Sequence, residues 1–253
     1  MAKAEVAARN VPAKIVVVTG AGGRFGQVLA QRILDEPLLK PVFLTSDVAR
    51  FSIKTARPHK VYQVALKDPN SVKAVFSKIH ETEGDIDILI NNAAVTTTPN
   101  FRDYVNNSDD VRVGEAFAVN CAGALYCIKY TLNRGRSHGK KIINVLAGRA
   151  LTGHTRHVEY YASKAGLYNA TRTLARDYPN HFFRNIMTGR IAFDGRGDRP
   201  ESIWAYFRDF IYELNPPQYR EVYFKPRLEY LTHLLRYYAD HFRSCERRPV
   251  ERL

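Results

Sequence analysis

The feature that most restricts the possible folds is a short β-branched run that breaks into a glycine turn and restarts as a helix. Lys14 to Thr19 (KIVVVT) is apolar at consecutive positions, as a strand covered on both faces must be. The next residues, Gly20-Ala21-Gly22-Gly23-Arg24-Phe25-Gly26, cannot continue it, and Gln27 to Asp35 then has apolar residues at helical spacing. The alternation recurs. Strands are predicted at Pro41–Thr45, Lys60–Leu66, Asp85–Ile90 and Lys141–Leu146, with a sixth inside Arg184–Phe193. Helices are predicted at Asn70–Glu81, Val111–Leu132 and Val158–Asp177. Strand–helix alternation gives an α/β fold, a doubly wound parallel sheet with helices on both faces.

From about Arg196 the character changes. The tail is rich in Tyr, Phe, Arg and Pro, and Ser202–Leu214 and Leu228–Phe242 read as helices separated by Pro216-Pro217. Two units follow: a dinucleotide-binding Rossmann-type region over 13–195 and a helical, aromatic and basic C-terminal extension over 196–253 packed on it. No apolar run approaches the ~18 residues a spanning helix needs, and Ala116–Ile128 is interrupted by Asn120. Three cysteines without paired spacing give neither a disulfide framework nor a metal site. The start, MAKAEVAARNVPAK, has no apolar signal core. The expected location is cytoplasmic, with an organelle matrix as the alternative because the start is basic and Ala-rich.

A glycine turn between a first strand and a helix suits a dinucleotide. Glycine lets backbone approach a pyrophosphate, and the helix N-terminus offers free N–H groups to it. An acid about 20 residues further on would hold the ribose hydroxyls of NAD. Asp47 is so placed, beside Ser46. Arg24 and Arg50 could instead meet a 2′-phosphate, so the balance leans to NADP, with NAD as the other option.

Three further segments carry a resemblance. They are Asn91-Asn92-Ala93-Ala94, Ala118-Val119-Asn120-Cys121-Ala122-Gly123 and Tyr160-Tyr161-Ala162-Ser163-Lys164-Ala165. With the glycine turn, their order and spacing over about residues 13–193 resemble the short-chain dehydrogenase/reductase family. The resemblance implies an NAD(P)-dependent oxidoreductase moving hydride between a nicotinamide and a carbonyl or alcohol. It makes Tyr160 the acid/base, Lys164 its electrostatic partner and a holder of the nicotinamide ribose, and Asn120 the support of a relay water. Thr19, Gly20, Gly23, Arg24, Phe25, Gly26, Ser46, Asp47, Asn91 and Ala93 would line the cofactor with Tyr160 and Lys164. Tyr160 and Lys164, four apart, share a helix face, where an ammonium favours the phenolate.

The sequence also departs from the family pattern. Ala147 stands where a Ser is usual, and Thr152 is the nearest hydroxyl in sequence after it. Ala65 replaces an adenine-side Asp, Thr188-Gly189 replaces Pro-Gly, and Phe193 falls near a usual hydroxyl. The family's last strand has no evident counterpart in the tail. These differences keep a second reading open: a catalytically impaired relative serving as a nucleotide-binding or structural subunit of a larger assembly.

The net charge of +13 is concentrated. Residues 121–184 hold 11 basic and 2 acidic side chains. No nucleic-acid-binding motif accompanies them, so nucleic acid is disfavoured as a partner. The expected partners are a small carbonyl or alcohol substrate, a second copy packed through the helices near 111–132 and 158–177, and a protein docking on the aromatic, Arg-rich extension.

Overall fold

A computed structural model of the chain describes residues 12–96, 111–135, 139–154, 156–189, 191, 193, 199–214 and 216–223. The predicted helix at Leu228–Phe242 lies outside them. The described elements run β1 (Lys14–Thr19), α1 (Arg24–Leu34), β2 (Leu39–Thr45), β3 (Lys60–Gln63), α2 (Pro69–Thr82), β4 (Ile88–Asn91) and α3 (Val111–Phe117). A π-helical segment (Ala118–Gly123) then leads into α4 (Ala124–Leu132), β5 (Lys141–Ala147), α5 (Val158–Asp177), β6 (Phe182–Thr188), α6 (Pro200–Tyr212) and β7 (Tyr219–Tyr223). The seven strands form one parallel sheet in the order β3-β2-β1-β4-β5-β6-β7. The order reverses between β1 and β4, the switch point at whose carboxyl ends such sheets bind ligands.

Side chains alternate across each strand, so the sheet builds two cores. Val16, Val18, Ile88, Ile90, Ile143 and Ile186 face α1 and α6, meeting Leu29, Ile33, Phe207 and Phe210. Ile15, Val17, Leu89, Ile142 and Phe183 face the other way, against Val72, Phe76 and Ile79 of α2 and Ile128 of α4. Phe25 and Phe207, with ring centroids 6.4 Å apart, tie α1 to α6.

The structure corrects the sequence reading at several places, among them the end of β3 at Gln63 rather than Leu66 and the π-helical break in the helix expected over Val111–Leu132. β2 begins at Leu39 rather than Pro41, because Leu39 and Lys40 already pair with Lys14 and Ile15 of β1, and Pro41 is tolerated since β3 pairs only from Val42. The region after α6 is also not purely helical. Tyr219–Tyr223 adds a seventh strand in register with Phe183–Met187, so the family's last strand does have a counterpart. α6 itself starts at Pro200, with its Pro in the first turn where a missing N–H costs least.

A polar row crosses the sheet on the α5 side. Asn91, Asn144, Asn185 and Glu221 are in register on β4, β5, β6 and β7. Asn91 Nδ2 donates to Asn144 Oδ1 at 2.9 Å, and Asn144 Nδ2 donates to Asn185 Oδ1 at 3.3 Å and to Thr171 Oγ1 at 2.9 Å. Asn185 Nδ2 donates to the Tyr219 hydroxyl, which donates to Glu221 Oε1. Tyr168 of α5 donates to the same carboxylate oxygen at 2.7 Å. The three asparagines are buried, and each bond offsets the cost of removing an amide from water.

The C-terminal end of α6 is held by a cation. Lys141, buried at the start of β5, donates its ammonium to the carbonyls of Phe210, Ile211 and Glu213. These carbonyls lack helical partners and carry the negative end of the helix dipole. Burial nevertheless lowers the Lys141 pKa to about 8, with Lys14 adding to the effect and Glu213 opposing it. Below pH 8 both folded and unfolded chains hold this proton. Between pH 8 and the ordinary lysine value near 10.5 the unfolded chain holds more, so this group makes stability rise with pH across that window. Urea midpoints measured at pH 7.5 and 9.5 are expected to rise for the wild type. The rise should be smaller in Lys141→Met, which keeps the apolar stem and loses the proton.

Candidate active site

The site is assembled at the switch point by bonds between two turns. Thr19, the last residue of β1, is buried and its hydroxyl accepts the backbone N–H groups of Asn92 and Ala93, each at 3.1 Å. Asn92 returns its side-chain amide to the Thr19 carbonyl at 3.0 Å and the Gly20 carbonyl at 3.3 Å. Gly20 lies in the left-handed region (φ +69°), and a Cβ there would come within 2.6 Å of Ala93 Cα. A Cβ on Gly26 would collide with the Gly20 carbonyl oxygen. Both glycines are required by the turn.

α1 opens on Gly23 with no side-chain cap, has no acid in its first turn and begins with Arg24. Such a helix end can hold a pyrophosphate. The residues present therefore fit a dinucleotide at this point. Phe25 is turned inward against Phe207 and supports the helix from beneath. Arg24 lies 4.2 Å over the Phe193 ring.

At the end of β2, Ser46 and Asp47 are exposed. Asp47 Oδ1 accepts the Ala49 N–H at 3.0 Å, and Asp47 Oδ2 pairs with Arg50 at 3.5 Å. An acid and a base thus share the place where the second cofactor ribose would lie. Asn91 stands apart from this group. It is buried in the polar row, and its neighbour Asn92 makes the turn contacts.

The second half of the site comes from the helices beyond β4. The π-helical turn at 118–123 widens the helix, a local feature frequent at functional sites. Asn120 within it is buried. Its amide brackets Val95, accepting the Val95 N–H at 2.7 Å and donating to the Val95 carbonyl at 2.9 Å. Asn120 also donates to the Ser163 hydroxyl at 3.0 Å, and Ser163 donates to the Tyr160 carbonyl at 2.8 Å. Asn120 is thereby joined to the helix that carries Tyr160 and Lys164. That helix starts on His157, a non-glycine residue at φ 59° and a conformation uncommon outside glycine.

Lys164 is buried, lies 5.9 Å from the Tyr160 ring centre and donates to the Val145 carbonyl at 2.8 Å. Burial lowers the Lys164 pKa to about 8, against which Cys121 acts slightly. Burial, with a smaller effect from Tyr161, raises the Tyr160 pKa to about 12. In this state burial dominates the phenol, and Tyr160 is a protonated acid at neutral pH. Burial also raises the Cys121 thiol, which faces Lys164.

Ala147 ends β5 and is buried, in register with Thr188 of β6. The Thr188 hydroxyl is already donated to the Leu146 carbonyl at 2.9 Å. Asn92 and Ser163 were not singled out from the sequence. Asn92 sits beside Asn91 in a strand ending, and consecutive strand residues face opposite ways, so only one of the pair can reach the turn. Ser163 lies inside the Tyr160–Lys164 spacing, one position before the lysine.

Comparison with known proteins bears on the family and the fold. The sequence pattern of the short chain dehydrogenase family matches residues 14–196. Galactitol 2-dehydrogenase of Agrobacterium fabrum is 28% identical over 173 residues, which are 66% of this chain and 66% of that protein. The chain thus spans about two thirds of the length of that curated relative. The fold matches that of a short-chain dehydrogenase from Streptomyces avermitilis with a TM-score of 0.78 at 16% identity, covering 92% of this chain and 97% of that one. It also matches an alcohol dehydrogenase from the archaeon Thermococcus sibiricus, solved as a complex with 5-hydroxy-NADP, with a TM-score of 0.70 at 16% identity over 83% of this chain and 95% of that one. From the family match over 14–196, the ordered motifs and the fold, the chain belongs to the short-chain dehydrogenase/reductase family.

Proposed function

We propose that the protein is an NAD(P)-dependent oxidoreductase that interconverts a carbonyl and an alcohol, with Tyr160 as the acid/base. The observation that carries this reading is the gathering of Asn120, Tyr160 and Lys164 around the end of β5 through Ser163 and Val145. Galactitol 2-dehydrogenase, a relative by sequence, is named for alcohol oxidation, which points to the same bond chemistry.

A bound nicotinamide supplies hydride, or takes it up. The protein's own residues manage the proton. In the reducing direction the protonated Tyr160 hydroxyl donates to the substrate oxygen, and the Lys164 ammonium, 5.9 Å from the ring centre, stabilises the phenolate left behind. In the oxidising direction the same phenolate takes the alcohol proton. Asn120, fixed by Val95 and Ser163, supports the water that refills Tyr160. Tyr160→Phe removes the transferable proton. It is expected to lower kcat at least a hundredfold and leave cofactor affinity nearly unchanged, as a fluorescence titration and steady-state rates would show. Binding of either cofactor with no turnover by the wild type on a broad carbonyl and alcohol panel would favour the nucleotide-binding, non-catalytic reading instead.

Ala147 leaves the substrate oxygen without a hydroxyl from the end of β5. One such donor contributes on the order of a hundredfold in rate. Ala147→Ser adds one oxygen at a strand end and is expected to raise kcat about ten- to a hundredfold. No increase in single-turnover rate would show that a different donor already fills this position.

NADP is the proposed cofactor, with Arg50 leaving Asp47 to meet the 2′-phosphate. The Thermococcus sibiricus neighbour, solved with an NADP derivative, supports this choice. Arg50→Ala is expected to weaken NADPH binding about tenfold, since a charge-assisted contact is lost, and to leave NADH binding unchanged. Equal loss for both cofactors would mean that Arg50 acts only as support for Asp47.

A further inference from the structure

By sequence, Arg24 and Arg50 are equal candidates to meet a 2′-phosphate. The structure separates them. Arg50 stands beyond β2 and pairs with Asp47. Arg24, the first residue of α1, is exposed and turned toward the chain that follows β6, where its guanidinium lies 4.2 Å over the Phe193 ring. In the sheet order β2 and β6 fall on opposite sides of β1, with β4 and β5 between β1 and β6.

Phe193 is 39% exposed, so its ring is not spent on the core. Ile191, two residues earlier, packs against the core shared by α1 and α6. The chain is thus tied down just before the ring that meets Arg24.

Stacking occupies only the face of the guanidinium. Its N–H groups lie in the plane, and a stacked guanidinium still offers them at its edge. Arg24 makes no ion pair among the described residues, and α1 has no acid in its first turn. Asp47, the acid at the end of β2, is held by Arg50 and by the Ala49 N–H. The donors of Arg24 are therefore open beside the free N–H groups of the helix end.

We propose that Phe193 is a positioning residue: its ring holds Arg24 as a clasp on the cofactor pyrophosphate, and opening of the clasp sets how fast the cofactor leaves. The clasp rests on the dinucleotide reading of the glycine turn. It assigns Arg24 to the part of the molecule that NADH and NADPH share, and leaves Arg50 to tell them apart. The ring contributes by preorganisation. An arginine side chain has several free torsions, and one held flat on a ring has fewer to lose when it meets phosphate. A cation over an exposed ring accounts for a factor of about two to five in an equilibrium constant.

The test follows release of cofactor from the full chain by stopped-flow nicotinamide fluorescence, beside equilibrium titrations of NADPH and NADH. Phe193→Leu is expected to speed release of both about two- to fivefold. Phe193→Tyr, which keeps a ring, should release both at the wild-type rate. Arg24→Gln is expected to weaken both cofactors equally, by about tenfold. The double variant Arg24→Gln with Phe193→Leu should bind no more weakly than Arg24→Gln alone, because the ring acts through the cation. Loss confined to NADPH in Arg24→Gln would place Arg24 on the 2′-phosphate and overturn the proposal. So would additive losses in the double variant, which would mean that the ring meets the cofactor by itself. Unchanged or slower release from Phe193→Leu also overturns it. Wild-type protein that binds neither cofactor defeats the dinucleotide reading and the clasp with it, whereas the other adverse outcomes leave that reading standing.

Discussion

The whole site hangs on how the ends of β1 and β4 are fastened together. The two strands pair along their length, and this joint closes their carboxyl ends at the switch point, where the two halves of the fold diverge. The fastening is made by one buried hydroxyl, Thr19, that accepts two backbone N–H groups, and by one amide, Asn92, that answers two carbonyls. Each partner removes an orphan backbone group from an apolar interior, where leaving it unpaired costs about 1–3 kcal/mol. Gly20 pressed on Ala93 brings the turns close enough for these bonds. The direction of α1, and so of its free N–H groups, follows from this joint.

A second constraint is distributed rather than local. The row from Asn91 through Asn144 and Asn185 to Glu221 fixes four strands against slipping. A one-residue shift would break these amide pairings and turn each polar side chain of the shifted strand to the other face. Thr171 and Tyr168 tie α5 into the same row. The helix that presents Tyr160 and Lys164 is therefore indexed to the sheet by hydrogen bonds as well as by apolar packing. Polar order of this kind specifies one arrangement among several that hydrophobic burial alone would tolerate.

Much of this was legible in the sequence. β1 is β-branched from Ile15 to Thr19, β4 and β5 are mostly apolar, and the glycine turn announces itself by what cannot be strand or helix. Where the sequence misled, the reason is physical. YREVY of β7 lies among aromatic and basic residues whose composition resembles a surface, so its strand character is set by pairing with β6 and not by its own pattern. Asn91 and Asn92 are indistinguishable by type, and only the pleat decides which enters the row and which reaches the turn. The pairing of Tyr160 with Lys164 was readable from spacing. The balance between burial and charge that leaves Tyr160 an acid was not, since it depends on what covers the ring.

The π-helical turn at Ala118–Gly123 has a consequence for how this chain can vary. Each residue of an α-helix advances about 100° around the axis. The wide turn absorbs that advance, so that Asn120 faces Val95 while Cys127 and Ile128 still face the sheet. Removing one residue here would let the turn relax to regular helix and rotate one side against the other. Either the asparagine would swing off its backbone partner or the core residues would swing into water. Length in this stretch is therefore held fixed by two unrelated demands at once, and lineages of this chain should accept substitutions here far more readily than insertions or deletions.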